Sequence, residues 1–397
     1  MSGDVLHTDV AIVGAGLVGL SAAVSLHQAG FSVVLVDSKD PVGNDVDDDV
    51  WDSRIYAISP KNAAWLNGLG VWLLLNSARI GEMQAMEIFG DTLAPLTLLA
   101  SDANADNLGF IVESKALMRA LLAKVEFLGI RTLFNNPCEA VITTSRKATL
   151  TFANNEILES KLLLAADGSN SWVRQQLNMP MQKKSYDQTA IVANFKVEKL
   201  HGNIARQWFA EGTEGKNSIL AWLPLPDNTI SIVWSVSTKQ ADVLLKLSDE
   251  AFVSQVMAAG HALLGELKLI SPALAFPLSL QTSSTLVQGC VVLVGDAAHQ
   301  VHPMAGQGVN LGFRDVVDMV GLLKDKNQYQ ALNDSNLLKH YVRMRKSDFL
   351  NMMLLTDGLY HLFESKHSLV KKVRDLGLSA ASHELIKSML VERAVLL

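Results

Sequence analysis

"DVAIVGAGLVGLSAAVSLHQAGFSVVLVD", residues 9–37, decides the fold. An apolar run enters a turn at Gly14, Gly16 and Gly19, a helix with small inward residues follows, and "FSVVLVD" reads as a second strand that ends at Asp37. The order strand, Gly-rich turn, helix, strand is a βαβ unit. The three glycines permit a tight turn, approach of bare backbone to a pyrophosphate and close helix packing. A carboxylate at the next strand tip suits the hydroxyls of an adenosine ribose. The unit predicts a dinucleotide site and leaves NAD and FAD both open; the plainer alternative is a tight turn without a ligand.

The chain has 397 residues, more than one hydrophobic core usually supports, so two domains with a helical appendage are expected. Hydrophobic residues at 49% against 19% charged describe a compact protein and exclude a disordered one. A net charge of −6 without a basic, aromatic-interleaved patch argues against nucleic acid as a partner. From Lys339 onward the balance reverses, with ten Lys and Arg against six Asp and Glu. Cys138 and Cys290 stand far apart, which suggests neither a disulfide framework nor zinc and fits a reducing cytoplasm. The first residues lack the pattern of a signal peptide, and no run approaches the eighteen or so apolar residues of a spanning helix.

Along the chain, "DPVGNDVDDDVWDS" (40–53) reads as a solvated loop, lacking the regular spacing of a calcium loop, and "SKALMRALLAKVEFLG" (114–129) as a helix. Short alternating runs between about 185 and 280, such as "AIVANFKV" and "TISIVWSVS", predict an antiparallel sheet. From about 311 the reading is mostly helical. The fold class expected is α/β: a Rossmann-like domain from 1–72, 107–182 and 281–330, an inserted antiparallel-sheet substrate domain from 73–106 and 183–280, and C-terminal helices over 331–397.

Two further motifs carry chemistry. In "LLLAADGSNSWVR" (162–174), Asp167 and Gly168 end a strand before a helix, which an ordinary helix cap explains as well as a cofactor contact does. In "VVLVGDAAHQVHPMAGQGVNLGFRD" (291–315), Asp296 stands at a buried strand's tip, where an acceptor suits a ribityl chain. Gly306 and Gly308 place bare N–H groups at a helix start, against which a flat, negatively charged ring could lie. His299 and His302 lack a third metal ligand, so no metal site is expected.

Together "VAIVGAGLVGL", "DSRIYAIS", "LLLAADGSNSWVR" and "GDAAHQVHPMAGQGVNLGFRD" resemble the flavoprotein aromatic hydroxylases, the class of p-hydroxybenzoate hydroxylase. The spelling of "WLPLPDNTISIVWS", "GFIVESKALMRALL" and "YVRMRKSDFLNMMLLTDGLYHLF" is similar to the ubiquinone-biosynthesis ring hydroxylases among them. The resemblance reaches to about residue 365. It implies FAD, with Gly14, Gly16, Gly19 and Asp37 on the ADP half, although Asp37 replaces a more usual Glu. It further implies Arg54 and Arg119 as FAD contacts, Asp167 and Gly168 as a second fingerprint, and Asp296, Pro303, Gly306, Gln307, Gly308 and Asn310 around ribityl chain and ring. No catalytic side chain is assigned; Pro303 is the candidate for orienting substrate.

The implied activity is FAD-dependent monooxygenation of a polyprenylated phenol through a flavin hydroperoxide. Dioxygen is the co-substrate, and electrons come from NAD(P)H or a separate reductase. The implied setting is a ubiquinone-biosynthesis complex at the cytoplasmic side of the inner membrane, held peripherally. "LLTDGLYHLFESKHSLVKKVRDLGL" (354–378) would suit an interfacial helix or, equally, the core face of packed helices. The alternatives are a soluble hydroxylase of a small aromatic acid, for which Arg206 is the available cation, and a non-catalytic flavin-bound member of an assembly.

Overall fold

A computed structural model describes residues 5–41, 50–90, 95–212, 217–300 and 307–364. Five parallel strands form the centre of the first sheet, in the order Arg131–Leu133, Val33–Val36, Val5–Val13, Ile157–Ala165 and Val291–Leu293. The chain leaves Val5–Val13 first to one side and later to the other. The crevice so opened lies beyond the carboxyl ends of Val5–Val13 and Ile157–Ala165, where a doubly wound sheet takes its ligands.

These strands read as unbroken apolar runs because both faces are covered. Val10, Ile12, Leu162 and Leu164 pack into one core with helices Leu17–Gln28, Ser114–Phe127 and Gln307–Asp325. Their neighbours Ala11, Val13, Leu163 and Ala165 pack into a second core with Val141, Leu150 and Phe152. Those three come from the antiparallel strands Cys138–Thr143 and Ala148–Phe152, so strands cover that face.

The second sheet has nine strands and is antiparallel apart from one parallel pairing, of Ala85–Phe89 with Ile204–Glu211. Its register separates two faces. Ile191, Trp234, Leu220 and Trp208 stand in one row across four strands and form a core with Phe252 and Val256 of helix Asp249–Ala259. One residue further along, Val192, Val233, Ala221 and Gln207 form the next row on the opposite face. That face looks into a cavity. A small sheet of Ile55–Ile58, Gly109–Glu113 and Gly81–Met83 sits beside it.

Candidate active site

The Gly-rich turn is stitched by its own backbone and by Asp37. Gly14 N donates to Val36 O at 2.8 Å, and Ala15 N donates to Asp37 Oδ2 at 2.7 Å. The three glycines serve different ends. A Cβ on Gly14, whose φ is +107°, would meet Ala166 O at 2.4 Å, and one on Gly19 would meet Gly14 O at 1.8 Å. A Cβ on Gly16 would meet nothing within 4 Å. Gly14 and Gly19 are therefore required by packing, whereas Gly16 keeps backbone bare towards open space.

A cavity of about 530 Å³ runs from Gly16 to the second sheet. Among the residues singled out in the sequence, Gly16, Arg54, Gly168, Asp296, Gly308 and Asn310 line it. Gly14, Gly19, Asp37, Asp167 and Arg119 do not, although Arg119 is half-buried on the helix whose Ser114 and Met118 line the cavity. Pro303, Gly306 and His302 lie outside the described residues, as does the side chain of Gln307.

Asp167 combines both readings of its motif. Its Oδ2 accepts from Val173 N at 3.0 Å, as a helix cap does, while Ser171 Oγ accepts from Arg174 N at 3.0 Å. Its Oδ1 is buried without a partner among the described residues. Burial pushes the carboxyl up, against the hydrogen bonds at the helix start. Arg174 then joins two motifs, donating to Ser169 O at 2.7 Å and to Ala297 O at 2.9 Å.

Asp296 is exposed to the cavity, and the protein packed around it pushes its carboxyl up, with His299 and Arg54 pulling the other way. Asn310 lines the cavity and also serves the fold. Its amide donates to Ala57 O at 2.7 Å and accepts from Ser59 N at 3.0 Å and Asn62 Nδ2 at 2.8 Å, so it fastens strand Ile55–Ile58 to the helix.

Sequence reasoning missed the group behind the Asp296 loop. Asp315, fully buried, accepts from Gly295 N at 2.7 Å and from Arg345 Nε at 2.6 Å, and lies 2.8 Å from His299 Nε2. Burial would raise its carboxyl, but the His299 and Arg345 charges and the Gly295 N–H outweigh it and hold the group below the usual carboxylate range. Arg345 also donates to Asp318 Oδ2 at 2.7 Å. These partners lie up to fifty residues apart, so no local pattern announces them. Among the described residues no group of His, Cys, Asp and Glu could hold a metal.

The other end of the cavity is apolar. Val192, Val233, Ala221, Leu223, Met86 and Leu98 line it. Arg206 touches it, but its guanidinium is committed: Nε donates to Glu87 at 2.8 Å and Nη1 to His201 O at 3.1 Å.

A family model described as FAD binding domain matches residues 7–352. The chain belongs to this FAD-binding family. Its relatives include 3-demethoxyubiquinol 3-hydroxylase of Escherichia coli, 32% identical over 376 residues and 94% of each chain. Ubiquinone hydroxylase UbiL of Rhodospirillum rubrum is also 32% identical, over 94% of this chain and 85% of its own. The human ubiquinone biosynthesis monooxygenase COQ6 is 28% identical over 94% and 89%. Among solved structures, p-nitrophenol 4-monooxygenase PnpA from Pseudomonas putida superposes with a TM-score of 0.77 at 16% identity over 99% of both chains. Klebsiella pneumoniae HpxO complexed with FAD and uric acid gives 0.74 at 16% identity over 98% and 97%. These likenesses carry the fold. The residues that the sequence singled out for FAD fit the cofactor: bare backbone at Gly16 faces open space, and the buried Asp167 Oδ1 lacks a partner among the described residues.

Proposed function

We propose that this FAD-binding protein is a monooxygenase that hydroxylates the aromatic ring of a polyprenylated phenol intermediate of ubiquinone biosynthesis. Dioxygen is the co-substrate, and NAD(P)H or a separate reductase supplies electrons. One observation carries the substrate class: the cavity that begins at the cofactor residues continues along an apolar sheet face, and Arg206, which by register stands on the opposite face with Trp208, is paired to Glu87. A small aromatic acid would leave its carboxylate without a cation there. An unpaired buried charge costs several kcal/mol, on the order of what binding a small ligand yields.

In this reading the backbone at Gly14, Gly16 and Gly19 and the Asp37 carboxylate hold the ADP half. Arg54, Arg119, Asp167 and Gly168 contact the cofactor between pyrophosphate and ring, while Asp296, Gly308, Asn310 and the segment with Pro303, Gly306 and Gln307 hold the ribityl chain and ring. Bound FAD, once reduced, supplies the activation of dioxygen for transfer to an electron-rich ring. The chain binds, orients and excludes water. The domain division expected from the sequence belongs to the same proposal. It is supported by strands Ala85–Phe89 and Leu96–Leu99, which join the large sheet although they precede it by a hundred residues.

Peripheral association with the inner membrane is supported by the basic excess beyond Lys339, and membership of a biosynthetic assembly is in keeping with relatives named for ubiquinone biosynthesis. No helix among the described residues is long and apolar enough to cross a membrane. Purified protein that fails to sediment with anionic vesicles at low salt would remove the membrane part.

The deciding experiment is a mass-spectrometric profile of quinones and precursors in cells lacking the protein. A prenylated phenol one oxygen short is expected to accumulate, to disappear on complementation with wild type and to persist with Arg54→Ala. An unchanged profile, with purified protein oxidising NAD(P)H on addition of a simple hydroxybenzoate, would replace this reading with the small-acid one.

A further inference from the structure

Where the Asp296 loop meets the large sheet, His299–Gln300 pairs with Gln281 and Thr282 of strand Leu274–Ser283. Gln281 Nε2 donates to Gln300 Oε1 at 2.9 Å, and Ser279 Oγ donates to the same oxygen at 3.3 Å. Two donors on Oε1 orient the amide, because reversing it alone would set its NH2 against the NH2 of Gln281. Gln300 Nε2 has no partner among the described residues, and Gln300 and Ser279 both line the cavity.

Position along the sheet singles this donor out. Among the described residues of the large sheet that line the cavity, Ser235 on Thr229–Ser237 and Gln207 on Ile204–Glu211 are the polar side chains without a hydrogen bond. In the strand order they are three and five strands from His299–Gln300. At about 4.8 Å per strand this is roughly 14 and 24 Å. A phenol ring spans roughly 6 Å, so a ring that meets Gln300, four residues after Asp296, reaches neither of the others.

We infer that Gln300 Nε2 donates a hydrogen bond to the ring oxygen of the aromatic substrate and thereby determines which ring carbon faces the cofactor. This inference rests on the hydroxylase reading above. A donor at that oxygen also favours the phenolate form, whose ring is richer in electrons. The apolar row from Val192 to Ala221 leads away from this point and receives the tail.

The test uses purified holoprotein and two probes, a phenol with a short prenyl chain and the prenylbenzene that lacks the ring oxygen. Each is titrated against the flavin absorbance. Wild type is expected to bind the phenol about 10-fold more tightly, the usual worth of one hydrogen bond to a ligand. Gln300→Leu should bind both alike, with unchanged flavin content, and give product oxygenated at more than one carbon. Gln300→Glu keeps the acceptor for Gln281 and Ser279 but removes the donor, and should also lose the preference. A variant pair that keeps both the preference and a single product overturns the inference while wild-type turnover leaves the hydroxylase reading standing. Wild type that neither binds nor oxygenates the phenol overturns both.

Discussion

On one wall of the cavity, the loop with Asp296 is backed by Asp315, which is fully buried and meets three polar partners at 2.6–2.8 Å. On the facing wall, Val192, Val233 and Ala221 present methyl groups. The difference separates two tasks. Directional bonds inside a low-dielectric region fix a loop to tenths of an ångström, and removing one partner leaves a buried charge. Apolar contacts are non-directional and tolerate changes of shape, which suits a flexible hydrocarbon chain. The cofactor wall should therefore be brittle and the substrate wall permissive.

The largest effect is expected at the turn. Gly19→Val forces a Cβ onto Gly14 O and should abolish soluble holoprotein, whereas Gly16→Val, whose Cβ enters open space, should leave the thermal transition nearly unchanged and remove the flavin. If both variants unfold alike, Gly16 is a packing residue too. Far-UV circular dichroism and flavin content separate the cases.

Next comes Asp315→Ala, which strips His299, Gly295 and Arg345 of their common acceptor and should destabilise the protein by about 3–5 kcal/mol in urea unfolding. Asp315→Asn adds a pH test. The folded carboxyl lies below its unfolded value of about 4, so its contribution is present above that pH and is lost as pH falls through the folded value. Wild-type stability should decline more steeply on acidification below pH ~4 than that of Asp315→Asn. Equal slopes would mean that the network is not charged.

Arg206→Ala should cost about 1–3 kcal/mol of stability by leaving Glu87 without its donor. It should not alter any response of NAD(P)H oxidation to small hydroxybenzoates. A lost response would show that Arg206 leaves Glu87 to bind carboxylates. The smallest effect belongs to Ala221→Phe, which fills part of the apolar wall. KM for a long-chain phenol should rise several-fold, about 1 kcal/mol, while flavin content and turnover of a short-chain phenol stay unchanged.

Legibility followed distance along the chain. The βαβ unit was readable because turn, helix and acid lie within twenty-nine residues, and Asp37 does bond the turn at Ala15 N. Asn310 was read as a cofactor residue from the family motif, and it does line the cavity; that its amide also holds Ala57, Ser59 and Asn62, some 250 residues earlier, no local pattern announces. Arg206 was the cation that the antiparallel-sheet region offered for a carboxylate substrate. Glu87 reaches it through a parallel pairing between strands 119 residues apart.

The sequence by itself determined a dinucleotide site and the βαβ start of the parallel sheet, since local periodicity and a short glycine spacing are enough to specify a turn and the strands that flank it. Only the tertiary structure decided which polar groups are already satisfied. Whether Asp315, Asn310, Arg206 or Gln300 is available to a ligand depends on partners brought from distant segments, and a buried polar atom takes whichever partner the packing puts within about 3 Å.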